Sequence, residues 1–534
     1  MATKVCVWFH MRYSPLCKGP FPILRKVCTM KKKLITLLLL SSMILSAFAG
    51  CSEGGENTDE TVDPGTGTST PEVTAEETVA EEEEITLESA AAQYADRDYG
   101  GYEYRVADRG DPGTYADWQT FDVYAAELTG EVINDAVYER NMTLEETMNI
   151  KIAERAFTHD AVTSSVKNSI MAGTDDYDVF TDGLSTMAPL VSQNYILDLR
   201  EIETLKFENE WWDQMIYDDL SILGKSFFMT GDISVMDNYG TWCYLFNKTM
   251  VSDYGLESPY DLVDSGKWTI DKHNEMAAAV TVDLDGDGAW TMADSYGYIT
   301  ETYNNMAMWN CFGYRIVSKD ADGTPIYTYS GEEQLTALQK IIETQYSPFT
   351  NMGSNSTVTG GGGLTDNTRE NQFAIGRALF YYAGLRNITL YRDSDTDFGI
   401  IPAPKYNEQQ EQYYSSYSYA NCTAYAMPVT VADPAKIGDI TEAMAHLSIY
   451  TLTPAYYDKT LIGKSTRDAE SEPMLELILE TRNYDLGNIF AWGGVSSAIY
   501  GMSDPNTVAS TLQKLEKAAN KVLNKFIEEL VLMD

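Results

Sequence analysis

The sequence predicts an α/β fold built on a parallel sheet, and three observations predict it. The first is the order of elements between residues 102 and 183. Tyr102-Glu103-Tyr104-Arg105-Val106 alternates as a strand, and Ile133, Ala136, Val137, Leu144 and Met148 then recur at helical spacing over 130–148. Asn149-Ile150-Lys151-Ile152 alternates again, a second helix is expected over 160–171, and Tyr177-Asp178-Val179-Phe180 reads as a short strand closing on Thr181-Asp182-Gly183. Strands separated by helices pair in parallel and are covered on both faces. The second observation is the helical striping of the C-terminal part. Ile437, Ile440, Met444 and Leu447 form one stripe, and Leu475, Ile478 and Leu479 form part of another. After Asp504-Pro505, a good cap and first-turn pair, Leu512, Leu515, Ala519, Val522, Phe526 and Leu530 line a long closing helix. The third is size: 534 residues with 44% hydrophobic content suffice for a large core and two lobes. Ligands of such sheets sit off the carboxyl ends of the strands, so the loop at Asp182, after the strand, is a candidate rim.

Taken from the first residue, the chain holds a targeting signal before any fold. Lys31, Lys32 and Lys33 precede an apolar run from Leu34 to Leu45, and Ala49-Gly50 leads into Cys51. That is the order of a secretory signal peptide, and the apolar run is short for a membrane-spanning helix. The small residues before Cys51 resemble the lipobox of bacterial lipoproteins, with Phe48 where leucine is usual. The resemblance implies cleavage before Cys51, lipid on its thiol and a place on the outer face of the cell membrane. Residues 30–50 are then signal, and residues 1–29 read as an upstream extension from a misplaced start codon. Residues 51–95 begin with Gly, Ser, Thr, Pro, Asp and Glu, up to the run Glu81–Glu84, without Lys or Arg in that stretch. Such a composition buries too little apolar surface to offset chain entropy and predicts an extended acidic tether.

Charge and cysteine usage narrow the function. The formal net charge is −42, which would repel nucleic-acid phosphate and fits an exported protein with a neutral or cationic ligand. After Cys51 only Cys243, Cys311 and Cys422 remain; their spacing gives neither a disulfide framework nor a thiolate metal cluster, so they are expected as buried small hydrophobes. The histidines after Cys51 are His159, His273 and His446, in no metalloprotease motif, and there is no Gly-x-Ser-x-Gly. Acidic residues are too abundant for any one pair to mark a glycosidase. No enzyme is expected; a secreted carbohydrate-active hydrolase is the alternative.

Four blocks carry a resemblance. Tyr177–Phe180 with Leu190-Val191-Ser192-Gln193-Asn194-Tyr195-Ile196-Leu197-Asp198-Leu199 comes first. Leu245-Phe246-Asn247-Lys248 with Tyr254-Gly255-Leu256 and Pro259 comes second. Phe373-Ala374-Ile375-Gly376-Arg377-Ala378-Leu379-Phe380 and Phe398-Gly399-Ile400-Ile401-Pro402-Ala403-Pro404-Lys405 follow. In this order and spacing the chain resembles the extracellular solute-binding proteins of family 1, which serve sugar-type ABC importers, and the match covers most of residues 100–534. The stretch 464–487, with Arg467-Asp468 and Tyr484-Asp485-Leu486-Gly487, resembles a subgroup of these lipoproteins in anaerobic Gram-positive bacteria. The resemblance implies a class II, two-lobe periplasmic-binding-protein-like α/β fold with the ligand cleft between lobes. It places residues 96–243 with 393–460 in the first lobe and 244–392 with 461–534 in the second. It also implies a monomer that captures a carbohydrate, an oligosaccharide, and delivers it to permease subunits; another polar solute is the alternative ligand.

Two constellations complete the reading. Asp283-Leu284-Asp285-Gly286-Asp287-Gly288-Ala289-Trp290-Thr291-Met292-Ala293-Asp294 follows calcium-loop spacing, with Asp283, Asp285, Asp287, Ala289, Thr291 and Asp294 at the ligating positions. No cofactor is required, and the role expected for such a calcium ion is structural; a plain Asp/Gly-rich turn is the alternative. For a sugar, flat aromatic platforms flanked by polar forks are needed. By resemblance the cleft is lined by Asp182, Asn238, Tyr239, Trp242, Tyr303, Trp309, Tyr382, Arg386 and Trp492, with Trp492 and Trp309 stacking on sugar rings and Asp182 and Arg386 binding hydroxyls.

Overall fold

The computed structural model describes residues 85–111, 113, 118–159, 161–301, 304–352, 364, 368–391, 394–457 and 468–532. The signal segment, Cys51 and most of the tether lie outside them, as do Tyr303 and Arg467. Among the described residues no helix is long and apolar enough to cross a membrane.

Two main sheets organise the chain. The first consists of β1 (Tyr102–Asp108), β2 (Ile150–Ala156), β3 (Val179–Gly183) and, from much later in the sequence, β11 (Thr423–Ala426). Its order is β11-β3-β1-β2, with β1 parallel to both neighbours and β11 antiparallel to β3. The second consists of β4 (Trp242–Asn247), β5 (Tyr296–Thr300), β8 (Thr350–Met352), β9 (Ala378–Gly384) and β10 (Phe398–Ile401), in the order β10-β4-β9-β5-β8. There β5 runs parallel to β8 and β9, while β4 is antiparallel to β9 and β10. A separate hairpin joins β6 (Val317–Lys319) to β7 (Pro325–Tyr327). The protein thus has the two-lobe α/β fold of periplasmic binding proteins.

Local chemistry accounts for most elements. Helix α1 (Val132–Met148) starts where the Glu131 side chain accepts from the Asn134 amide, and it ends at Asn149 in the left-handed region, φ 49°. Its buried face carries Ile133, Ala136, Val137, Leu144 and Met148, the residues at helical spacing. Helix α2 (Val162–Ala172) ends at Gly173, φ 68°. Helix α3 (Leu184–Ser192) leaves the carboxyl end of β3, and α4 (Gln214–Leu220) is capped by Asp213. In the second lobe, α5 (Asn304–Cys311) follows β5, and α6 (Arg369–Ala374) precedes β9. The stripe expected around Ile437 forms α7 (Pro434–Ser448), capped by Asp433 with Pro434 in the first turn. Helix α8 (Ser471–Glu480) packs on β10, and α9 (Val508–Val531) closes the chain. On α9 the buried positions are Val508, Leu512, Ala519, Leu523, Phe526 and Leu530, while Val522 is exposed. Over several turns the 3.6-residue period carries the stripe from Val522 onto Leu523.

Three expectations change here. The folded part begins at a short helix, Leu87–Ala91, where Ala90, Ala91 and Tyr94 are buried against the first lobe, so the segment 51–95 is not tether throughout. Tyr94 also meets His446 of α7 at 3.1 Å. The return to the first lobe does not occur at 393, because Phe398–Ile401 pairs with β4 in the second sheet. Four consecutive apolar residues suit a strand covered on both faces, and here α8 supplies one cover. Finally, Asp182 lies inside β3 rather than in a loop after it. Cys243, Cys311 and Cys422 are free and buried.

Candidate functional site

The site is built where the two lobes meet, at the ends of strands. On the first lobe, β1 runs into Arg109 and β3 into Asp182-Gly183. Arg109 Nε donates to Asp182 Oδ1 at 2.6 Å, and Nη2 lies 2.5 Å from the same oxygen and donates to the Ala420 carbonyl at 2.8 Å. Thr163 Oγ1 donates to Asp182 Oδ2 at 2.6 Å and the Gly183 amide to Oδ1 at 2.8 Å. Both side chains of the pair are 1% exposed. A Cβ on Gly183 would collide with the Ala420 carbonyl and crowd Arg109, so only glycine fits there. With both carboxylate oxygens occupied and covered, Asp182 holds the strand ends together and is not placed to bind a ligand hydroxyl.

Beside it lies a second buried acid. Asp108 Oδ1 accepts from the Gly110 amide at 2.9 Å, and a Cβ at Gly110 would touch both Asp108 and Glu154. Burial first, then the neighbouring Glu154 charge, pushes the Asp108 carboxyl up to about 9. The long connection 109–131 starts from this point and carries Trp118, half-buried, and Phe121, 36% exposed.

The second lobe supplies the opposite rim. Trp242 opens β4 and pairs with Gly384 at the end of β9, so Arg386 follows immediately beside it. The Arg386 guanidinium lies over the Trp118 ring, 4.6 Å from its centroid, and the Phe121 ring meets Tyr239 edge-on at 5.4 Å. The first contact joins the first-lobe loop to the second lobe, and the other ties it to the segment just before β4. Trp242 packs at 5.3 Å against Tyr382. Just beyond β5, Glu301 is paired with Arg369 Nη2 at 2.6 Å; burial pushes its carboxyl up to about 7, with Arg369 opposing. The result is a half-buried rim of Trp118, Phe121, Tyr239, Trp242 and Arg386. Aromatic faces beside guanidinium and amide groups suit a ligand with apolar C–H faces and hydroxyl edges.

Measured against the expected residues, the structure brings Asn238, Tyr239, Trp242 and Arg386 together and adds Trp118 and Phe121. A long connection off the carboxyl end of the first strand, carrying two large aromatics, was the available signal. Trp309 and Tyr382 are fully buried, Trp309 against Tyr314 and Tyr382 against Tyr244. Trp492 is 5% exposed, stacked at 4.6 Å on Phe490 and packed on Phe526 of α9. Its small neighbours do not uncover the ring. Gly493 has φ 67°, and a Cβ there would collide with Ala519, so the glycine lets α9 approach closely. Tyr303 lies outside the described residues.

Of the calcium-spaced residues, Asp283, Asp285 and Asp287 place one carboxylate oxygen each within 4.8 Å of the others. Gly286 and Gly288 take positive φ, 71° and 79°, as the tight turn needs. Asp294 is turned away, accepting from the Leu284 amide at 3.0 Å and the Thr291 amide at 2.7 Å. The Ala289 amide donates to Asp287, and the Thr291 hydroxyl lies 3.3 Å from Asp294. Three exposed or half-exposed carboxylates with oxygen donors only suit a hard cation such as calcium.

No protein-family model matches this chain, and no curated protein matches it in sequence. Solved structures share its fold. The cyclic α-maltosyl-1,6-maltose binding protein of Arthrobacter globiformis is 16% identical, aligned over 80% of this chain and 100% of that one, with a TM-score of 0.50. M. tuberculosis UspC is 13% identical over 79% of this chain and 100% of that one, also with a TM-score of 0.50.

Proposed function

We propose that this chain is the substrate-binding receptor of a sugar-type ABC importer, a lipid-anchored protein on the outer face of the cell membrane that captures an oligosaccharide. The observation that carries the reading is the aromatic and arginine rim gathered from both lobes at the strand ends. The Arthrobacter protein of the same fold is named for binding cyclic α-maltosyl-1,6-maltose, which makes α-glucans the first ligands to try. Capture would proceed by hinge closure, the ligand stabilising the closed state through contacts made to both lobes. Permease subunits would be the partners, the receptor acting as a monomer without hydrolysing its ligand. Thermal-shift and calorimetric titration against linear and cyclic malto-oligosaccharides test this directly: a saturable rise in melting temperature is expected, with no new reducing ends. A panel of oligosaccharides that leaves the melt unchanged would overturn the carbohydrate reading.

Trp118→Ala is expected to weaken that binding by about 1–3 kcal/mol, since a desolvated aromatic platform at the centre of a site is a typical anchor. The unliganded melt should change little, because Trp118 is only half-buried. Unchanged affinity would remove Trp118 from the site.

The anchor and the metal are separate parts of the proposal. Cys51→Ala is expected to release the protein into the medium; unchanged membrane retention would end the lipoprotein reading. A structural calcium ion on Asp283, Asp285 and Asp287 would stabilise the native state by mass action. Chelation should then lower the melting temperature, and added calcium should restore it. A chelator-insensitive melt would leave a plain turn held by its Asp-to-amide hydrogen bonds.

A further inference from the structure

Two chain crossings between the lobes, at 240–242 and 415–418, lie side by side, and the segment 481–483 runs along the second of them. The Trp242 amide donates to the Ser416 carbonyl at 2.8 Å and the Ser418 amide to the Gly240 carbonyl at 2.9 Å. On the other side of 415–418, the Ser415 amide donates to the Thr481 carbonyl at 2.8 Å and the Asn483 amide to the Ser415 carbonyl at 2.9 Å. Arg482 thus forms an isolated parallel β-bridge with Ser415, and the side chains of Arg482-Asn483-Tyr484-Asp485 reach alternately to two sets of partners.

All four side chains are buried and each carries a polar group, and the alternation sorts those groups by lobe. Arg482 Nη1 donates to Asp237 Oδ2 at 3.0 Å and Asn238 Oδ1 at 3.1 Å, and Nη2 to Asp213 Oδ2 at 2.8 Å. Tyr484 donates its hydroxyl to the same Asp213 oxygen at 3.1 Å, and its amide donates to Asp219 at 3.1 Å. Asp213 caps α4 and Asp219 lies in its last turn, and both follow Trp212, whose indole donates to Glu442 on α7 of the first lobe at 2.8 Å. The odd-numbered face is different. Asn483 donates to the Asn310 carbonyl at 2.8 Å and accepts from Arg315 at 2.6 Å, and Asp485 accepts from the Ile316 and Val317 amides at 2.8 and 3.3 Å. Those groups follow α5 in the second lobe.

We infer that Arg482–Asp485 is an inter-lobe strap that sets the orientation of the two lobes, and that Arg482 is a positioning residue for the ligand rim, which it fixes through Asn238 and Asp237 at the start of the first crossing. The second clause rests on the receptor reading; the first does not. A planar guanidinium holds three oxygen acceptors on two segments in a fixed, spread fork, a geometry that the compact, rotating donors of an ammonium do not reproduce. The strap works because each lobe holds alternate side chains of the same short segment, so the lobes cannot rotate without breaking buried hydrogen bonds on one side.

The test uses the full chain with Arg482→Lys, Asn483→Ala and Tyr484→Phe, which loosen opposite faces while keeping most of the segment. Small-angle X-ray scattering of the unliganded proteins is expected to show a larger radius of gyration for Arg482→Lys and for Asn483→Ala than for the native chain, each still melting cooperatively. Scattering profiles identical to native in all three folded variants would overturn the strap. In maltotetraose titrations Arg482→Lys should weaken binding about tenfold, the scale of one buried contact to a charged group. Combined with Asn238→Ala, the two losses should be less than additive; full additivity would overturn the positioning role. A native chain that binds neither maltotetraose nor a cyclic tetrasaccharide overturns the receptor reading and the positioning role together, while the scattering comparison still decides the strap.

Discussion

Replacing Asp182 with alanine is expected to destabilise the unliganded protein by about 3–5 kcal/mol, because it strands a buried guanidinium. Arg109 keeps only the Ala420 carbonyl as a partner among its observed contacts, and at 1% side-chain exposure it has no access to water. Thr163 and the Gly183 amide lose their acceptor as well. Asp182→Asn is the sharper variant: it keeps the volume and one acceptor, so most of its loss reports the missing charge. Urea denaturation of the unliganded variants measures both. Had Asp182 been a hydroxyl-binding residue, the same change would have spared stability and cost affinity. An unfolding midpoint within error of native for both variants would refute the buried pair.

Trp492→Ala should cost a comparable amount, about 3–5 kcal/mol, and for a different reason. The indole fills the space between Phe490 and Phe526, at centroid distances of 4.6 and 4.8 Å, and α9 is packed too closely beside Gly493 to collapse into the gap. Deleting a large buried side chain then leaves a cavity on top of the lost transfer energy. Trp492→Phe should recover much of the loss. Native unfolding with a large drop in carbohydrate affinity would instead return Trp492 to the cleft.

These two residues show where reading the sequence stops. Periodicity is a local property, so the helix carrying Ile437, Ile440, Met444 and Leu447 was legible, and all four are fully buried. The strand–helix alternation over 102–183 was legible for the same reason, and Cys243, Cys311 and Cys422 are the buried free thiols their spacing led one to expect. Rim membership for Tyr239, Trp242 and Arg386 came from resemblance in block order, which places a residue near a crossing but not which way its side chain faces.

What the sequence by itself determined is the class of fold, the positions of the long helices and the oxygen-donor spacing at Asp283–Asp294, since each depends on residues close together in the chain. Only the tertiary structure decided the rest. Asp182 finds Arg109 across β1 and β3, and Trp492 meets a helix that starts well after it. Trp118 reaches Arg386 across the lobes, and Arg482 binds Asp213 and Asp237 over the intervening crossing. In each case the partner is distant in sequence, and a lone Asp, Trp or Arg carries no mark of whether the fold will cover it or leave it at a surface. Burial and charge pairing are set by which elements close over a side chain, and that is decided when the strands of both sheets and the crossings between them pack.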